Sequence, residues 1–505
     1  MDEQARLIRA LTDSALYESC TGVRVIETHI SYVLLTGRFA YKIKKAVELG
    51  FLDFTTLAAR HFYCERELEL NRRLAPAIYL RVVAITGTID RPRIGGDGPA
   101  IEYAVQMREF PQEGLLARVL ERGDLNRAHI DTLASIVAGF HGSAAAAGSD
   151  SRFGSAATVF DLAIENFTEI DPLVEDDVDR RVVADLRRWT EREHALRARQ
   201  FAERQRRGRV RECHGDLHLG NIALVDGNVT IFDCIEFNDA MRWSDVMADV
   251  GFLVMDLEDR GRPESAARFL NAYLERTGDY DGLQVLRFYI VYRAMVRAKV
   301  GYMRARQTED PETRQMTIAE CRGYLQLARR CAEFATPRIV ITHGLTGSGK
   351  TTGSQALVES MGAIRIRTDV ERKRLHGLAP DARSGSGLHA GLYSAAETER
   401  TYARLAELTR IVVGAGYPAI VDGTFLRRRE RDRFRDLAAQ LGVPFSIADF
   451  VASPETLRAR VEQRHATGSD ASEADVHVLE LQLKTAEPLT ADERAAAAVC
   501  VIKAA

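Results

Sequence analysis

The sequence lacks the features that mark several protein classes. Its seven cysteines include no Cys-x-x-Cys pair, so their spacing indicates neither a zinc site nor a disulfide framework. No apolar run approaches the roughly 18 residues that a membrane-spanning helix needs. The first residues contain early acids instead of the basic start and apolar core of a secretory signal. These absences favour a cytoplasmic protein with no membrane partner.

Lysine is also scarce. Of the 69 basic residues, eight are lysine and 61 are arginine. A compact ammonium and a planar guanidinium act differently at a phosphate, so the positions of the few lysines are informative. Lys42, Lys44 and Lys45 form one cluster, and Lys350 lies in a glycine-rich segment. The formal net charge of -3 argues against a surface devoted to nucleic acid, and it is compatible with small anionic substrates.

The chain of 505 residues is too long for one core, since about 150 residues per domain is typical. Residues 1–110 are predicted to form a β-rich lobe with one helix at about 56–74. The predicted strands are 23–27, 32–43, 80–85 and 101–107. A turn-rich segment at 91–99 separates the last two strands as a hairpin would.

Residues 111–335 are mainly helical in pattern, with a β-like island at 211–237 that holds an Asp-Gly-Asn turn. At Thr336-Pro337 the pattern changes to strand, glycine-rich loop and helix, followed by alternating strands and helices. That rhythm is typical of a parallel α/β sheet. We therefore predict a multidomain α/β protein whose last domain is 336–505.

The segment GLTGSGKT has Walker A spacing, follows a predicted strand and opens a helix. Its glycines let the backbone wrap closely around phosphates, and the loop N–H groups and the helix N-terminus favour negative charge. Lys350 can bridge the outer phosphates, and Thr351 can bind Mg²⁺. This pattern predicts ATP and Mg²⁺ as cofactors. The predicted nucleotide-binding residues are Gly344, Gly347, Gly349, Lys350, Thr351 and Thr352.

Two carboxylates follow predicted strands of the same domain. Asp369 comes after AIRIRT and Asp422 after YPAIV, at the edge where a parallel sheet places its ligand site. The alternative is that each is a helix cap or a turn residue. Together with Walker A, their positions favour a role at the phosphates.

Residues 338–485 resemble the P-loop small-molecule, zeta-toxin-like and polynucleotide-kinase-like phosphotransferases. The likeness lies in GLTGSGKT, in the Asp-x-x-Arg of RTDVERKRL, in IVDGTFLRRRERDRF and in LRARVEQR. The resemblance implies that Asp369 orients or deprotonates an acceptor hydroxyl and that Arg372 and Asp422 bind the acceptor. It also implies that Arg460 or Arg464, one helical turn apart, closes over the phosphates as a lid. A solvated helix face is the alternative for these two arginines.

The island at 211–237 contains a second constellation. His214-Gly215-Asp216 is followed by Asn221, and Asp233 follows an apolar strand. A kinase needs one carboxylate to accept the hydroxyl proton of its acceptor, and an Asn and a second carboxylate to hold Mg²⁺. This set assigns Asp216 to catalysis and the other two to metal binding. The alternative is a polar hairpin with turn-forming residues.

Residues 23–300 resemble the aminoglycoside phosphotransferase-like kinases, which include choline kinases, and the resemblance implies a two-lobed, protein-kinase-like fold. HGDLHLGN matches the catalytic loop and IFD the metal-binding strand. FAYKI and CERELELNRRL match the nucleotide lysine and its helical glutamate, which implies Lys42 and Glu67. Lys44 replaces Lys42 if the strand register shifts by two. A hairpin at 28–31 is a candidate cover for the phosphates.

The leading hypothesis is a double kinase that acts on small-molecule hydroxyl acceptors. A second interpretation is that one module only binds nucleotide and regulates the other. A third is a nucleic-acid 5′-hydroxyl kinase, suggested by the Asp-x-x-Arg motif and a cluster of arginines at 365–374. The acidic total and the lack of interleaved aromatic and basic residues count against it. Neither the acceptors nor the oligomeric state can be read from the pattern.

Overall fold

The described residues among the first 110 are rich in β-strand, as the sequence pattern predicted. The structure is a computed structural model that describes residues 3–18, 20–50, 52–333, 337–379, 382, 394–467, 475–495 and 497–500. The strands of this lobe are β1 Arg24–Glu27, β2 Ser31–Leu35, β3 Phe39–Lys44, β4 Glu48–Leu49, β5 Leu52–Asp53, β6 Tyr79–Thr88, β7 Arg91–Ile94 and β8 Glu102–Arg108. Six of them form an antiparallel sheet in the order β1-β2-β3-β8-β6-β7, and β4 pairs with β5.

Two strand predictions in this lobe were wrong in detail. The single strand predicted at 32–43 is the antiparallel pair β2 and β3, because Gly37 adopts a φ of 86° and turns the chain. The N–H of Thr36 donates to the carbonyl of Phe39 at 3.0 Å and closes that turn. The turn-rich segment at 91–99 contains β7, which pairs with β6. The predicted pairing of the strands on either side of that segment, β6 and β8, is confirmed.

Helix α2 (Leu57–Asn71) lies where a helix was predicted, and α1 (Glu3–Ala10) precedes the sheet. The Thr56 hydroxyl begins α2 by accepting the N–H of Ala59 at 3.1 Å, which satisfies one of the free donors of the first turn. Cys64 and Leu68 join a core cluster with Val105 of β8. The buried face of α2 also carries Glu67, so this helix brings a carboxylate under the sheet.

The region from 111 to 333 is mainly helical, as predicted. Its helices are α3 Leu116–Glu121, α4 Arg127–Ser143, α5 Ala156–Ile170, α6 Asp177–Arg206, α7 Asp239–Arg242, α8 Val246–Asp259, α9 Pro263–Thr277, α10 Leu283–Gln307 and α11 Pro311–Ala332. Its strands are β9 Val210–Glu212, β10 Ile222–Val225, β11 Asn228–Ile231 and β12 Trp243–Asp245. The predicted Asp-Gly-Asn turn joins β10 and β11, with positive φ at Asp226 and Gly227.

The last part of the chain contains the predicted parallel sheet. Its strands are β13 Ile339–His343, β14 Ile364–Arg367, β15 Ala419–Asp422, β16 Phe445–Phe450 and β17 Ala497–Cys500. They lie in the order β14-β15-β13-β16-β17, and all described pairs are parallel. The helices of this part are α12 Lys350–Met361, α13 Thr368–Leu375, α14 Ala395–Gly414, α15 Arg428–Leu441, α16 Pro454–Thr467, α17 Val476–Thr485 and α18 Ala491–Ala495.

The chain divides into two compact units, each made of several segments. The first comprises Met1–His129, Phe140–Asp161 and Phe201–Leu253, and the second comprises Ile130–Gly139, Leu162–Gln200 and Val254–Ala505. The second unit thus contains both the parallel sheet and α9, because Ala267 of α9 shares a core cluster with the strand residues Val340 and Ile420. The domain limits predicted from the sequence, 1–110, 111–335 and 336–505, stay predictions. Within the described residues, no helix is both long and apolar enough to cross a membrane.

Candidate active sites

Two lysines and two glutamates form a buried ion-pair network in the first unit. Lys42 and Lys44 are two residues apart on β3, so both side chains leave the same face of the strand. Lys42 Nζ lies 2.9 Å from Glu67 Oε1 and 2.5 Å from Asp233 Oδ1. Lys44 Nζ lies 2.8 Å from Glu67 Oε2 and also pairs with Glu236. Glu67 therefore contacts both Lys42 and Lys44, the two lysines that the sequence offered as the nucleotide-binding lysine.

Burial separates the two lysines. The side chains of Lys44 and Glu67 are fully buried, whereas Asp233 beside Lys42 is 42% exposed. Burial alone would raise the pKa of Glu67, but the two ammonium groups outweigh it and lower that pKa to about 2. Burial opposes the charge of Lys42 as well, and the neighbouring carboxylates nevertheless raise its pKa well above the ordinary value. Both groups are therefore charged at neutral pH, and Lys42 lies at the accessible end of the network.

The backbone at Asp233 is held in an uncommon conformation. Its φ is 65°, in the left-handed region that a residue other than glycine rarely adopts. Its N–H donates to the Tyr79 hydroxyl at 3.2 Å, and the N–H of Cys234 donates to Asn71 Oδ1 at 2.8 Å. Asn71 Nδ2 in turn donates to the Glu67 carbonyl at 2.9 Å. Helix α2 therefore positions both carboxylates that contact Lys42.

Asp216 and Asn221 meet in the loop before β10. Asn221 Nδ2 donates to Asp216 Oδ2 and to the Asp216 carbonyl, both at 2.9 Å. Since the amide nitrogen is used within the loop, the Asn221 oxygen is the atom suited to face a cation. The Asp216 side chain is 38% exposed, and its Oδ2 lies 3.4 Å from His218 Nε2. The structure thus brings together the predicted base and one predicted metal ligand.

The carboxylate of Asp249 on α8 holds this loop from beneath. It accepts the N–H of His214 at 2.8 Å and that of Gly215 at 2.9 Å, and His141 Nε2 lies 3.3 Å from it. Burial alone would raise the pKa of Asp249, but its bonds to His141 and His214 lower it to about 2. Ligand-type atoms of His141, Cys213 and Asp249 lie within 4.8 Å of one another. Because the Asp249 oxygens already accept backbone N–H groups, this cluster is structural.

His214 links the loop to the strand that precedes Asp233. Its Nε2 lies 2.9 Å from the Phe232 carbonyl, and its Nδ1 lies 3.3 Å from the N–H of Asp216. These partners assign the neutral tautomer with the proton on Nε2. Burial lowers the pKa of His214, which favours that neutral form. The His214 ring therefore lies between the loop that carries Asp216 and the strand that precedes Asp233, and it contacts both.

The second unit contains a phosphate-type loop between β13 and α12. A Cβ on Gly344, whose φ is 141°, would lie 2.4 Å from the Phe450 carbonyl oxygen, and one on Gly347 would lie 2.8 Å from that of Leu457. Only glycine fits such close backbone approaches. Lys350 Nζ donates to the carbonyls of Gly344 at 3.0 Å and Leu345 at 2.7 Å. Its ammonium therefore lies over the loop.

A cleft of about 350 Å³ opens beside this loop. Asp369 and Arg372 lie on one turn of α13, with Arg372 Nη1 donating to Asp369 Oδ1 at 3.1 Å. The predicted site residues that line the cleft are Gly347, Gly349, Lys350, Thr351, Thr352, Asp369, Arg372, Asp422 and Arg460. Gly344, at the start of the loop, lies against Phe450 of β16 and does not line this cleft. The side chain of Arg464 lies outside the described residues, although its backbone belongs to α16.

Asp422, at the end of β15, is 6% exposed and faces α12. Ser354 Oγ donates to its Oδ2 at 3.0 Å, and Thr342 Oγ1 lies 3.4 Å from its Oδ1. Ser354 is one helical turn after Thr351. The carboxylate is thus bound to the helix that carries the predicted magnesium ligand. The resemblance had implied that Asp422 binds the acceptor.

A second cavity, of about 320 Å³, borders the opposite side of the loop. Its wall includes the loop residues Gly344 and Leu345 and several apolar side chains from α16, from α17 and from the segments that follow β15, β16 and α17. The apolar members outside the loop include Leu426, Val451, Leu457, Leu483 and Leu489. The wall also contains Asp449, Glu487 and Arg494, so the cavity is mainly but not wholly apolar.

Several residues of these sites were not predicted from the sequence. They are Glu236, Asp249, Ser354, Tyr402 and Gln482. Asp249 had a usable signal, because a carboxylate inside the apolar run VMADVGFLV must find buried partners. Ser354 and Gln482 gave no such signal. Gln482 Oε1 accepts the N–H of Thr346 in the loop at 2.8 Å from more than a hundred residues away.

Comparison with known proteins gives two family matches in separate parts of the chain. A family model described as a phosphotransferase enzyme family matches residues 59–289, and one described as an AAA domain matches residues 339–489. An uncharacterised protein of Mycobacterium tuberculosis is 33% identical over 456 residues, which cover 89% of this chain and 88% of that protein.

Two solved structures also match parts of the chain. A choline kinase from Cryptosporidium parvum is 13% identical, covers 65% of this chain and 96% of its own, and has a TM-score of 0.40. A gluconokinase from Sinorhizobium meliloti is 22% identical, covers 34% of this chain and 85% of its own, and has a TM-score of 0.25. By its identity to the mycobacterial protein and its two family matches, the chain belongs to a family that joins an aminoglycoside phosphotransferase-like kinase domain to a P-loop kinase domain.

Proposed function

We propose that the chain is an ATP- and Mg²⁺-dependent phosphotransferase with two sites that each phosphorylate a hydroxyl group of a small-molecule acceptor. One observation supports this above the others. Each compact unit brings together its own lysine, an accessible carboxylate and oxygen ligands of the kind that Mg²⁺ prefers. Phosphoryl transfer depends mainly on positioning and charge stabilisation, and these are what such sets provide.

In the first site, Lys42 binds the phosphates of ATP and is kept charged and oriented by Glu67. Asp216 accepts the proton of the acceptor hydroxyl. The acceptor oxygen forms a bond to the γ-phosphorus, the bond from that phosphorus to the β-phosphate oxygen breaks, and ADP departs. Asn221 and Asp233 would hold Mg²⁺, which neutralises charge on the phosphates. The donor set fits that ion, since Asp233 is partly exposed and the amide oxygen of Asn221 is the atom left to face it.

In the second site, the loop N–H groups and Lys350 bind the phosphates, and the loop glycines leave room for close approach. The acceptor oxygen forms a bond to the γ-phosphorus, the bond from that phosphorus to the β-phosphate oxygen breaks, and Asp369 takes the hydroxyl proton. Arg372 and Arg460 line the same cleft and stabilise the transferred charge. Arg464 stays a candidate for the same lid role.

Two further assignments follow from the geometry of the second unit. Asp422 is bonded to Ser354 on the helix of Thr351, so we assign it to the metal side of the site instead of the acceptor side. Thr351 and Asp422 would then hold Mg²⁺ together, as a hydroxyl and a carboxylate do in P-loop enzymes. The apolar cavity on the opposite side of the loop suits the base of the nucleotide.

The test compares wild type with Asp216→Ala and Lys350→Ala in the full chain. Binding of radiolabelled ATP should fall from two per chain to one in Lys350→Ala, and each variant should lose a different transfer activity in a screen of sugars, aminoglycosides, nucleosides and oligonucleotides. Asp124→Ala and Lys484→Ala, which change exposed charges of the same type, are the controls. Two bound ATP molecules in Lys350→Ala would overturn the second site. Two bound ATP molecules with one product in wild type would favour the regulatory interpretation.

A further inference from the structure

Helix α9 lies within the segment matched to the phosphotransferase family, yet it packs on the parallel sheet of the second unit. The matches place residues 59–289 in one family and begin the other at 339. Strand β14, however, is an edge strand that pairs with β15. An exposed edge strand leaves backbone groups without partners unless another element covers it.

Asn271 of α9 supplies those partners. Its Nδ2 donates to the Ala363 carbonyl at 2.8 Å, and its Oδ1 accepts the N–H of Arg365 at 2.6 Å. One buried side-chain amide thus imitates the missing neighbouring strand at the edge of the sheet. Together with Ala267 in the core cluster, this contact makes α9 an integral part of the P-loop fold.

The last turn of α9 also reaches the phosphate-binding helix. Arg365 donates to Glu275 Oε1 from Nε at 2.9 Å and from Nη2 at 2.8 Å. Its Nη1 donates to the Thr351 carbonyl at 3.1 Å and to Ser354 Oγ at 3.2 Å. Ser354 then donates to Asp422, as described above. A continuous path of hydrogen bonds therefore joins Glu275 to the metal-side carboxylate.

The same turn of α9 holds the helix of the proposed base. Arg374, at the C-terminal end of α13, donates to the main-chain carbonyl of Glu275 and pairs with Glu371. Gly278, which ends α9, adopts a φ of 68°, and a Cβ there would lie 2.7 Å from Arg374 Nε. Helix α13, which carries Asp369 and Arg372, is therefore anchored against this turn.

We propose that Glu275 is a positioning residue of the P-loop site. Its side chain holds Thr351, Ser354 and Asp422 through Arg365, and its main-chain carbonyl holds α13 through Arg374. It lies outside the cleft and acts through these arginines. The inference rests on the proposed function in one respect, namely that this cleft turns over ATP. It also means that the P-loop site is completed by a helix from the preceding kinase-family segment.

The test uses the full chain carrying Asp216→Ala, so that ATP turnover reports the P-loop site. Glu275→Gln keeps the length of the side chain and removes its charge, and Glu275→Ala removes both. Since outer contacts of metal sites typically contribute about 10- to 100-fold, we expect Glu275→Gln to lower kcat about tenfold and to raise the Mg²⁺ concentration for half-maximal turnover. KM for ATP should change less, because Lys350 is not touched. Glu264→Gln, on the same helix and exposed, is the matched control.

Hydrogen exchange without ligand provides a second readout. Glu275→Ala should exchange faster over residues 350–354 and 364–367, which its side chain holds through Arg365, and wild-type exchange at these residues would overturn the proposal. Helix α13 should keep its wild-type exchange, because Arg374 contacts the main-chain carbonyl of Glu275. A lower melting temperature with an unchanged Mg²⁺ dependence would also overturn it, because it would show a purely structural contact. ATP turnover that is unchanged by Lys350→Ala would contradict the proposed function instead. The exchange measurement would still test whether Glu275 holds the phosphate-binding helix through Arg365.

Discussion

The carboxylate of Glu67 is shared between two lysines, with Lys42 Nζ 2.9 Å from one oxygen and Lys44 Nζ 2.8 Å from the other. The two cations differ in what else they contact. Lys42 pairs with the partly exposed Asp233, whereas Lys44 pairs with the buried Glu236. We therefore propose that Lys42 binds phosphate and that Lys44 supports the fold, and two substitutions separate these roles.

Lys42→Met should abolish transfer at the first site while the chain stays folded. Loss of one preorganised hydrogen-bond donor in an active site typically costs about 100-fold or more in rate. Glu67 keeps its partner Lys44 in this variant, so the buried Glu67 carboxylate is still paired. Transfer assays in a Lys350→Ala background measure the effect. Activity within threefold of the parent would show that Lys44 is the phosphate lysine.

Lys44→Met should act on stability. It leaves Glu236 and one oxygen of Glu67 buried beside an apolar side chain, and breaking a buried pair by removing one partner typically costs about 3–5 kcal/mol. Urea unfolding followed by fluorescence should show an earlier transition in the first unit. Lys45→Met, which removes an outer lysine paired with the exposed Glu27, is the control and should change stability little. Equal effects of the two substitutions would contradict the assigned role.

Asp249→Asn should loosen the catalytic loop in a pH-dependent way. An asparagine cannot accept both the His214 and Gly215 N–H groups equally well, so a buried donor loses its partner at a typical cost of about 1–3 kcal/mol. The pKa of Asp249 lies at about 2 in the folded chain, against an ordinary value of 3.8. Because the folded pKa is depressed, its stabilising effect is complete above the ordinary value and is lost as the pH falls toward 2.

The measurement compares the free energy of unfolding of wild type and Asp249→Asn at pH 7 and at pH 3. The difference between the two proteins should be full at pH 7 and smaller at pH 3. Asp124→Asn, an exposed substitution in the same unit, gives the baseline. A difference that stays constant over this range would show that the charge of Asp249 contributes nothing.

Much of the fold could be predicted because its signals are local. Gly344 to Thr351 carry the loop pattern within eight residues, and the strand and helix around them follow from short periodic runs. The same holds for the hairpin at Asp226 and Gly227, where two positive φ values require turn-forming residues. The split of the predicted strand 32–43 was missed because a single glycine, Gly37, carries the whole signal.

The contacts that complete the sites depend on pairs far apart in the chain. Glu236 meets Lys44 across 192 positions and Asn271 meets Arg365 across 94, and no local pattern encodes such a meeting. Burial gives a partial clue, since a charged residue in an apolar run needs a partner. It does not say which partner. That is why Asp249 was recognisable as unusual, whereas the role of Glu275 emerges only from the packing of α9.

Gly344→Ala should remove nucleotide binding at the second site. Its φ of 141° is closed to residues with a side chain, and the added carbon would lie 2.4 Å from the Phe450 carbonyl oxygen. The loop must therefore move away from β16, and a displacement of about 1 Å in an active site can lower the reaction rate about 100-fold. Bound ATP should fall from two per chain to one.

Gly362→Ala is the matched control for this prediction. Gly362 ends α12, the helix that follows the loop, and also has a positive φ of 60°, but a Cβ there would meet nothing within 4 Å. It should cost about 1–2 kcal/mol of stability for the left-handed conformation and leave two ATP molecules bound per chain. If both glycine variants lose ATP equally, backbone strain in general is responsible. If Gly344→Ala also keeps both molecules bound, the close approach of the loop to β16 is not needed for phosphate binding.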